Sequence, residues 1–406
     1  MALDAVILAE VMRRVNPIGT IAPFQNVGTS FTDPYTGAEW LRSGVVKAAA
    51  GYPMAAAHPA VQVFGAAFST APAMGYPDAA STTLYDMATD GAGRYVLCTS
   101  HSATAVQVSS DGGATWSTLV HNLGVQCASA CWDATNSLWI FAGNDASNLK
   151  ISTSPNLSTA ATLRHTQALT SGAASQVIVR CSASGNAIAT VIANSVGQTA
   201  KASNGVTWAA GGALGLQPYG LTVLGTRWLA SGTASSIPYT QYSDDNGATW
   251  SASQSLPSGA STAALLSGNG LFLLLGSAGA AIVSATGETG SWSDRYLGSA
   301  NESPAASRCA GGYVSGKWRF ATSAGVLESS DLVNTTLKRI PGTFSAGAQM
   351  LLADASGRFL ITQGGGITAV YGGTSLTTAT YVGLPAASVP EGGSAAGWPC
   401  YYVRIK

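Results

Sequence analysis

The chain has 406 residues, of which 9% are charged, with Lys+Arg and Asp+Glu both totalling 19. Balanced charge leaves no basic stripe for nucleic acid or an anionic membrane surface. Apolar residues make up 46%, too many for a disordered chain, yet no apolar run approaches the roughly 20 residues that span a bilayer.

Residues 3–15 place Leu3, Val6, Ile7, Val11, Met12 and Val15 on one side at helical spacing. Asp4 near the start and Arg13-Arg14 near the end suit the helix dipole, and Asn16-Pro17 stops the pattern. One short helix is not stable alone, so it is expected to dock on this chain or on another subunit. Asp4 and Glu10 fall where a secretion signal has basic and then apolar residues, so no such signal is expected.

Residues 17–78 are rich in Pro, Gly and turn signals. Within them, the run from Phe31 to Gly44 reads as a turn at Thr36-Gly37 followed by a short strand at Trp40-Leu41-Arg42. This run resembles N-terminal parts of tailed-bacteriophage tail fibres, as do Tyr76-Pro77-Asp78-Ala79 and the ending Tyr401-Tyr402-Val403-Arg404-Ile405-Lys406. The resemblance covers about 50 residues. A plain β-rich cap on the following domain is the competing reading. On either reading, residues 1–78 form an N-terminal segment, 79–385 the main domain and 386–406 a tail with a terminal strand. That strand, over 398–405, is expected to pair with residues 60–69 or to complete a sheet of the main domain.

From about residue 79 the chain repeats. A Gly, Asn or Ser turn precedes a strand that opens with a large residue at Tyr95, Trp139, Ile188, Trp228, Phe272, Trp318 and Phe359. The intervals of 44, 49, 40, 44, 46 and 41 residues match a four-strand blade. A second register agrees: Trp116, Trp208, Trp250 and Trp292 lie 92, 42 and 42 apart. Two of these end a shared pattern, Ser-x-Asp-x-Gly-x-Thr-Trp: Ser109, Asp111, Gly113, Thr115 and Trp116, then Ser243, Asp245, Gly247, Thr249 and Trp250. The Asp can hold a turn closed, the Gly takes a conformation that a Cβ penalises, the Thr starts the next strand and the Trp drops into the core. Degraded copies occur at Asn204-Gly205, Gly287-Glu288, Pro155-Asn156 and Ser330-Asp331.

The pattern resembles the Asp box (BNR repeat) of sialidase-like β-propellers. The expected fold is therefore all-β: a seven-bladed β-propeller with Asp-box turns between third and outer strands, preceded by a small N-terminal anchoring segment containing the short helix. Blades bury their strands on both faces, which accounts for the unbroken run Leu271-Phe272-Leu273-Leu274-Leu275.

Sialidase-like enzymes bring an arginine cluster, a Tyr nucleophile with a Glu partner, and an Asp acid. Here Arg339-Ile340-Pro341 follows the sixth turn, whereas in that family the tripeptide precedes the first box, so it reads as coincidence. Glycosidases need two carboxyl groups facing across a cleft. The Asp-box carboxylates are committed to turns, and nothing pairs any two of Asp86, Asp133, Asp145, Asp294, Glu302 and Asp354. No enzyme activity is expected.

Arg180 and Arg308 occupy similar positions just before the second strand of their units. On inner strands both would face the channel, as anion or sugar contacts or, more plainly, as solvated inward residues. Tyr219, Tyr239, Tyr242, Tyr313 and Trp132 sit near predicted turns and could stack on sugars or simply pack the blades. The cysteines at 98, 127, 131, 181, 309 and 400 show no zinc spacing and read as buried free thiols. The histidines at 58, 101, 121 and 165 do not cluster with carboxylates. No cofactor or metal is expected.

The leading functional expectation is a phage virion protein of the tail (tail fibre, tail tip or baseplate), made in the host cytoplasm. Its N-terminal segment would bind other tail proteins, its propeller a host-surface glycan, and it would assemble as a homo-oligomer, with a trimer favoured. Alternatives are a sialidase-like glycan hydrolase and a bacterial assembly or scaffolding propeller.

Overall fold

The computed structural model describes residues 83–257 apart from 101, 114 and 171–173, and then 262, 264–276 and 280–297. It also describes 311–322, 325–333 and 335–339, and strands at 21–24, 30–32, 39–42, 348–353, 359–363, 370–373 and 400–404. The chain divides into two units, residues 1–66 with 377–406, and residues 67–376.

The first unit contains β1 (Ile21–Phe24), β2 (Ser30–Thr32) and β3 (Glu39–Arg42). The larger unit is built from antiparallel sheets whose strands follow chain order. Blade 1 is β4 (Leu84–Thr89), β5 (Tyr95–Thr99), β6 (Ala105–Ser109) and β7 (Ser117–Val120). Blade 2 is β8 (Cys127–Asp133), β9 (Leu138–Asn144), β10 (Asn148–Ser154) and β11 (Thr162–Ala168). Blade 3 is β12 (Ala174–Cys181), β13 (Ala187–Ala193), β14 (Val196–Ala202) and β15 (Trp208–Ala210). Blade 4 is β16 (Gln217–Leu224), β17 (Arg227–Ala234), β18 (Ile237–Ser243) and β19 (Gln254–Ser255). Blade 5 is β20 (Ala264–Gly268), β21 (Leu271–Leu275), β22 (Ala280–Ser284) and β23 (Ser293–Tyr296). Blade 6 is β24 (Gly311–Val314), β25 (Lys317–Thr322), β26 (Gly325–Ser329) and β27 (Thr336–Arg339).

The next repeat has three strands among the described residues: β28 (Ala348–Ala353), β29 (Phe359–Gln363) and β30 (Val370–Gly373). The seven four-stranded blades expected from the sequence are thus corrected to six, with a three-stranded sheet after them. The sequence carries a reason. After β30 it continues Thr374-Ser375-Leu376, with neither the Asp or Asn that closes the turn into an outer strand nor the Trp that follows it.

The first strands contact one another in the order β4, β8, β12, β16, β20, β24, β28, and β28 returns to β4. Sheets radiating from a closed ring of inner strands make this unit an all-β propeller. No helix occurs among the described residues, and the helix expected over 3–15 lies outside them.

Each blade has two buried faces, and the second strand is the most enclosed. Phe272 and Leu274 of β21 pack with Leu229 of blade 4, while Leu273 and Leu275 pack with Trp318 and Phe320 of blade 6. The alternation typical of a strand is present, but both sides are core. The residues that mark the repeat are the anchors of this arrangement: Tyr95, Trp139, Ile188, Trp228, Phe272 and Trp318 are each at most 1% exposed.

The C-terminal strand β31 (Cys400–Arg404) neither completes a blade nor pairs with residues 60–69. It lies between β1 and β3, pairing Ile21 with Val403 on one side and Leu41 with Val403 on the other, in the order β1-β31-β3-β2. Tyr401 and Val403 alternate in a β-branched and aromatic stretch that suits a central strand.

Two outcomes test this architecture. Phe272→Ala is expected to cost about 3–5 kcal/mol, read as a lowered denaturant midpoint. Deleting residues 398–406 is expected to remove the sheet of the first unit and to leave the thermal transition of the propeller in place; loss of that transition would return a closure role to β31.

Candidate functional site: the central channel

The inner strands surround a cavity of about 340 Å³, to which every first strand from β4 to β28 contributes residues. That volume falls in the range of small-ligand pockets. Among the described residues its wall combines Trp132 and Tyr313, the hydroxyls of Thr89, Thr222 and Ser267, apolar side chains such as Leu265 and Leu352, and one cation, Arg180. None of the described lining residues is Asp or Glu.

Arg180 is the penultimate residue of β12, so the channel-facing position expected from the sequence is where it lies. Its guanidinium is committed. Nη1 donates to Asp86 Oδ2 at 2.8 Å and to Ser129 Oγ at 3.2 Å. Asp86 on β4 is fully buried. It also accepts from the Met87 N–H at 3.0 Å and from Ser129 Oγ. Ser129 on β8 in turn accepts from the Val179 N–H at 3.0 Å. A buried carboxylate persists only with a counter-charge and satisfied lone pairs. This network supplies both, and it ties the first strands of blades 1, 2 and 3 together. The pairing spans 94 positions of sequence, and no local motif announces it. Arg308 lies outside the described residues.

The aromatic candidates separate into two groups. Trp132 reaches the channel, with Trp139 at 5.0 Å between ring centroids and the Arg94 guanidinium 4.9 Å from its ring. Tyr313 reaches it opposite, against Trp318 at 5.3 Å. The others serve the blades. Tyr219 is the extra residue of a β-bulge in β16, and its hydroxyl donates to Gln217 Oε1 at 2.9 Å. Tyr239 packs on the core between blades 3 and 4. Tyr242 lies under the Arg227 guanidinium at 4.1 Å. Arg227 also donates to Asp244 of its own blade at 2.7 Å and to Glu288 of blade 5 at 2.7 Å, which joins two adjacent turns.

The Ser-x-Asp-x-Gly-x-Thr-Trp turns lie between third and fourth strands. In the first, Ser109 Oγ donates to Asp111 Oδ1 at 2.8 Å and accepts from the Gly113 N–H at 2.8 Å. Asp111 accepts from the Thr115 N–H at 2.9 Å and from its hydroxyl. Ser243, Asp245, Gly247 and Thr249 repeat every one of these bonds. The Thr closes the turn and does not open the next strand, which begins at Ser117 in one copy and Gln254 in the other. Trp116 and Trp250 are half-buried; Trp116 Nε1 donates back to the Gly113 carbonyl at 3.1 Å. In the degraded copies Asn204 and Asn156 accept the equivalent N–H groups. Gly247 is fixed by its neighbour as well as by its φ of +73°, since a Cβ there would meet Ile188 Cδ1 of blade 3 at 2.6 Å. These carboxylates are clips. Hydrogen bonds from the Thr249 side chain and backbone hold Asp245 down at about 2.

The remaining carboxylates are occupied locally. Asp133 accepts from the Asn136 N–H and side chain, and Asp145 from Ser147, Asn148 and Lys150. Asp294 is exposed on the outer strand β23, and Glu302 and Asp354 lie outside the described residues. The expectation of free thiols is corrected at two positions: Cys131 of β8 and Cys181 of β12 form a disulfide between blades 2 and 3. Cys98 and Cys127 are buried, with their sulfurs 3.5 Å apart. Among the described residues no cluster of His, Cys, Asp or Glu could hold a metal ion.

No protein-family model matches the sequence, and no curated protein matches it. Solved structures do. A structure of YCF48 bound to D1 peptide shares 13% identity at a TM-score of 0.52, covering 73% of this chain and 92% of that one. YCF48 from Cyanidioschyzon merolae shares 11% at 0.52, covering 72% and 96%. The WD40 β-propeller domain of Doa1 shares 12% at 0.47, covering 72% and 92%. The fold is a β-propeller. At such identities the likeness to YCF48 carries the fold and nothing of the site.

His121, in the connection from blade 1 to blade 2, is fully buried, and its Nδ1 accepts from the Leu123 N–H at 3.3 Å. Burial pushes its pKa from 6.5 down to about 4. The unfolded chain therefore takes up this proton below pH 6.5 and the folded chain only near pH 4. The associated stability is complete above 6.5 and is lost as the pH falls between those values. His121→Asn, which keeps an acceptor for Leu123, is expected to lose about 2 kcal/mol less than the parent between pH 7 and 4.5, as read from denaturant midpoints at the two values.

Proposed function

We propose that the chain is a recognition protein without catalytic activity, and that its ligand enters the central channel. The observation that carries this reading is the channel wall. Among the described residues it offers two aromatic rings and several hydroxyls, its one cation is already paired with a buried carboxylate, and no carboxylate lines it. Such a surface suits stacking and hydrogen bonding to a neutral sugar. It lacks, among the described residues, the facing carboxyl pair that glycoside hydrolysis needs.

The protein is placed by this proposal in the phage tail, as a tail-fibre, tail-tip or baseplate component that binds host-surface glycan. The short resemblances at Phe31–Gly44 and Tyr401–Lys406 support it, as does the paired Ser-x-Asp-x-Gly-x-Thr-Trp pattern of the sialidase-like Asp box. Residues 1–78 anchor the protein to other tail components, and the assembly is a homotrimer.

A second reading draws on the YCF48 structure solved with D1 peptide: an assembly or scaffolding propeller of a bacterial cell, with a peptide as ligand.

One experiment separates these. Full-length protein is incubated with host cells and with extracted surface polysaccharide, and released sugars are measured in the same tube. Saturable binding without release is expected, and Trp132→Ala is expected to weaken it at least about tenfold, a loss near 1.4 kcal/mol. Sugar release would overturn the non-enzymatic reading. Absence of both binding and release would favour the scaffolding reading.

A further inference from the structure

The cavity occupies one end of the channel. Each described residue that lines it lies within three positions of the end of its first strand, from Met87 on β4 to Leu351 on β28. At about 3.3 Å per residue this makes a cup about 10 Å deep. Exposure shows which way the cup opens. Thr89, Trp132 and Arg180, next to the hairpins that lead into the second strands, are half-buried. Met87 and Ala130, two positions deeper on β4 and β8, are at most 3% exposed. Deeper still, Asp86, Ser129 and Val177 are fully buried. Accessible surface returns only toward the opposite ends of these strands, at Tyr85, Ala128 and Ser175. Among the described residues, a layer of filled wall thus closes the base of the cup.

The aromatic and polar groups of the cup share one depth. Thr89, Trp132, Arg180, Ser267 and Tyr313 each pair with the anchor of their second strand, Tyr95, Trp139, Ile188, Phe272 and Trp318 in turn. In the ring of first strands, β4 and β28 separate β8 from β24 on one side, and β12, β16 and β20 on the other. Trp132 and Tyr313 therefore belong to opposite walls. The rim above them is fixed. Thr135 Oγ1 donates to the Ala183 carbonyl at 2.8 Å, between the hairpins of blades 2 and 3. The Asp turns close against the same hairpins: the Gly112 N–H donates to the Gly93 carbonyl at 2.9 Å, and Asn246 Nδ2 to Asn186 Oδ1 at 3.2 Å.

We propose that the cup is an end-on site. A neutral glycan enters from the face that carries these hairpins and the Asp turns, and only its terminal unit reaches the layer of Trp132 and Tyr313. This inference rests on the glycan reading above. A chain bound through its middle needs a groove or a through-channel, whereas a cup closed at its base admits an end. One layer of rings and hydroxyls gives one level of stacking and hydrogen bonding, which selects the last unit and leaves the preceding ones at the rim.

The test uses full-length protein, with the extracted surface polysaccharide as probe. Native polysaccharide is immobilised, and soluble polysaccharide, intact or partly hydrolysed at random, competes for the protein. Hydrolysis creates ends from the same mass of sugar, so inhibition per unit mass is expected to rise with the number of ends. Unchanged or weaker inhibition per unit mass would mean that internal units are bound, which overturns the end-on site and leaves the glycan reading standing. No saturable binding to the native polymer would remove both. Two variants test the face. Gly312 on β24 lines the cup, and a Cβ there would meet nothing within 4 Å. Gly312→Trp fills this space and is expected to weaken binding at least about tenfold with the thermal transition unchanged. Ser175→Trp, at the far end of β12, is expected to bind as the parent does. Binding lost in Ser175→Trp and kept in Gly312→Trp would put entry at the other face, and the proposal would be wrong. The competition on the wild type does not depend on how either variant folds.

Discussion

A sheet that is covered on both sides must fill its middle strand mainly with apolar side chains on both faces, and the propeller follows from that restriction. In β21 the odd and even side chains enter different cores, one shared with blade 6 and one with blade 4. Each anchor, from Tyr95 to Trp318, therefore belongs to an interface between blades as much as to its own blade. Large rings bury on the order of 150–250 Å² each, so a single position repeated about every 40–50 residues supplies much of what holds neighbouring blades together. Among the described residues, the buried polar groups of the second strands are small hydroxyls, Thr99, Thr190, Ser231 and Thr322. With charged residues at only 9%, several of those among the described residues serve as clips or ties, Asp86, Asp111, Arg180, Arg227 and Asp245 among them.

What could be read in advance was what depends on neighbours in sequence. The repeat was legible because each anchor follows its own turn. The two Asp turns were legible because all their bonds run within five residues, from Ser109 to Gly113 and from Asp111 to Thr115. The placement of Arg180 followed from its strand position. Its partner did not, because Asp86 reaches it only after three blades have packed around the axis. The same holds for Cys131 and Cys181, 50 residues apart. The bulges were also invisible. Register shifts occur in β4, β8, β12, β16 and β28, and each moves one residue out of the alternation from which facing is inferred. For Tyr219, near a predicted turn, the sequence leaves sugar stacking and blade packing open, and the bulge with its bond to Gln217 decides for the blade. The count of full blades failed for a different reason: the anchor register marks second strands, and it does not register whether a fourth strand follows.

The candidate site is built in sectors. Blades 1 to 3 contribute the ion pair, the serine that bridges it and the disulfide, all fixed by bonds between strands. The other wall is apolar side chains, hydroxyls and Tyr313. A ligand in this channel meets a rigid polar side and a softer packed side. Pre-organisation of the polar side lowers the ordering cost of each hydrogen bond made there. Trp132 sits on the rigid sector, held between Trp139 and Arg94, which makes it the ring best placed to act as a fixed platform.

The position of β31 between β1 and β3 has a consequence for how the protein is made. Those two strands do not pair with each other; each pairs with β31, and the whole propeller lies between them and β31 in sequence. Propeller blades can assemble in the order they are translated, but this sheet closes only once β31 has been made. A chain cut before β31 would leave one edge of β1 and one of β3 unpaired, and such edges invite pairing with other chains.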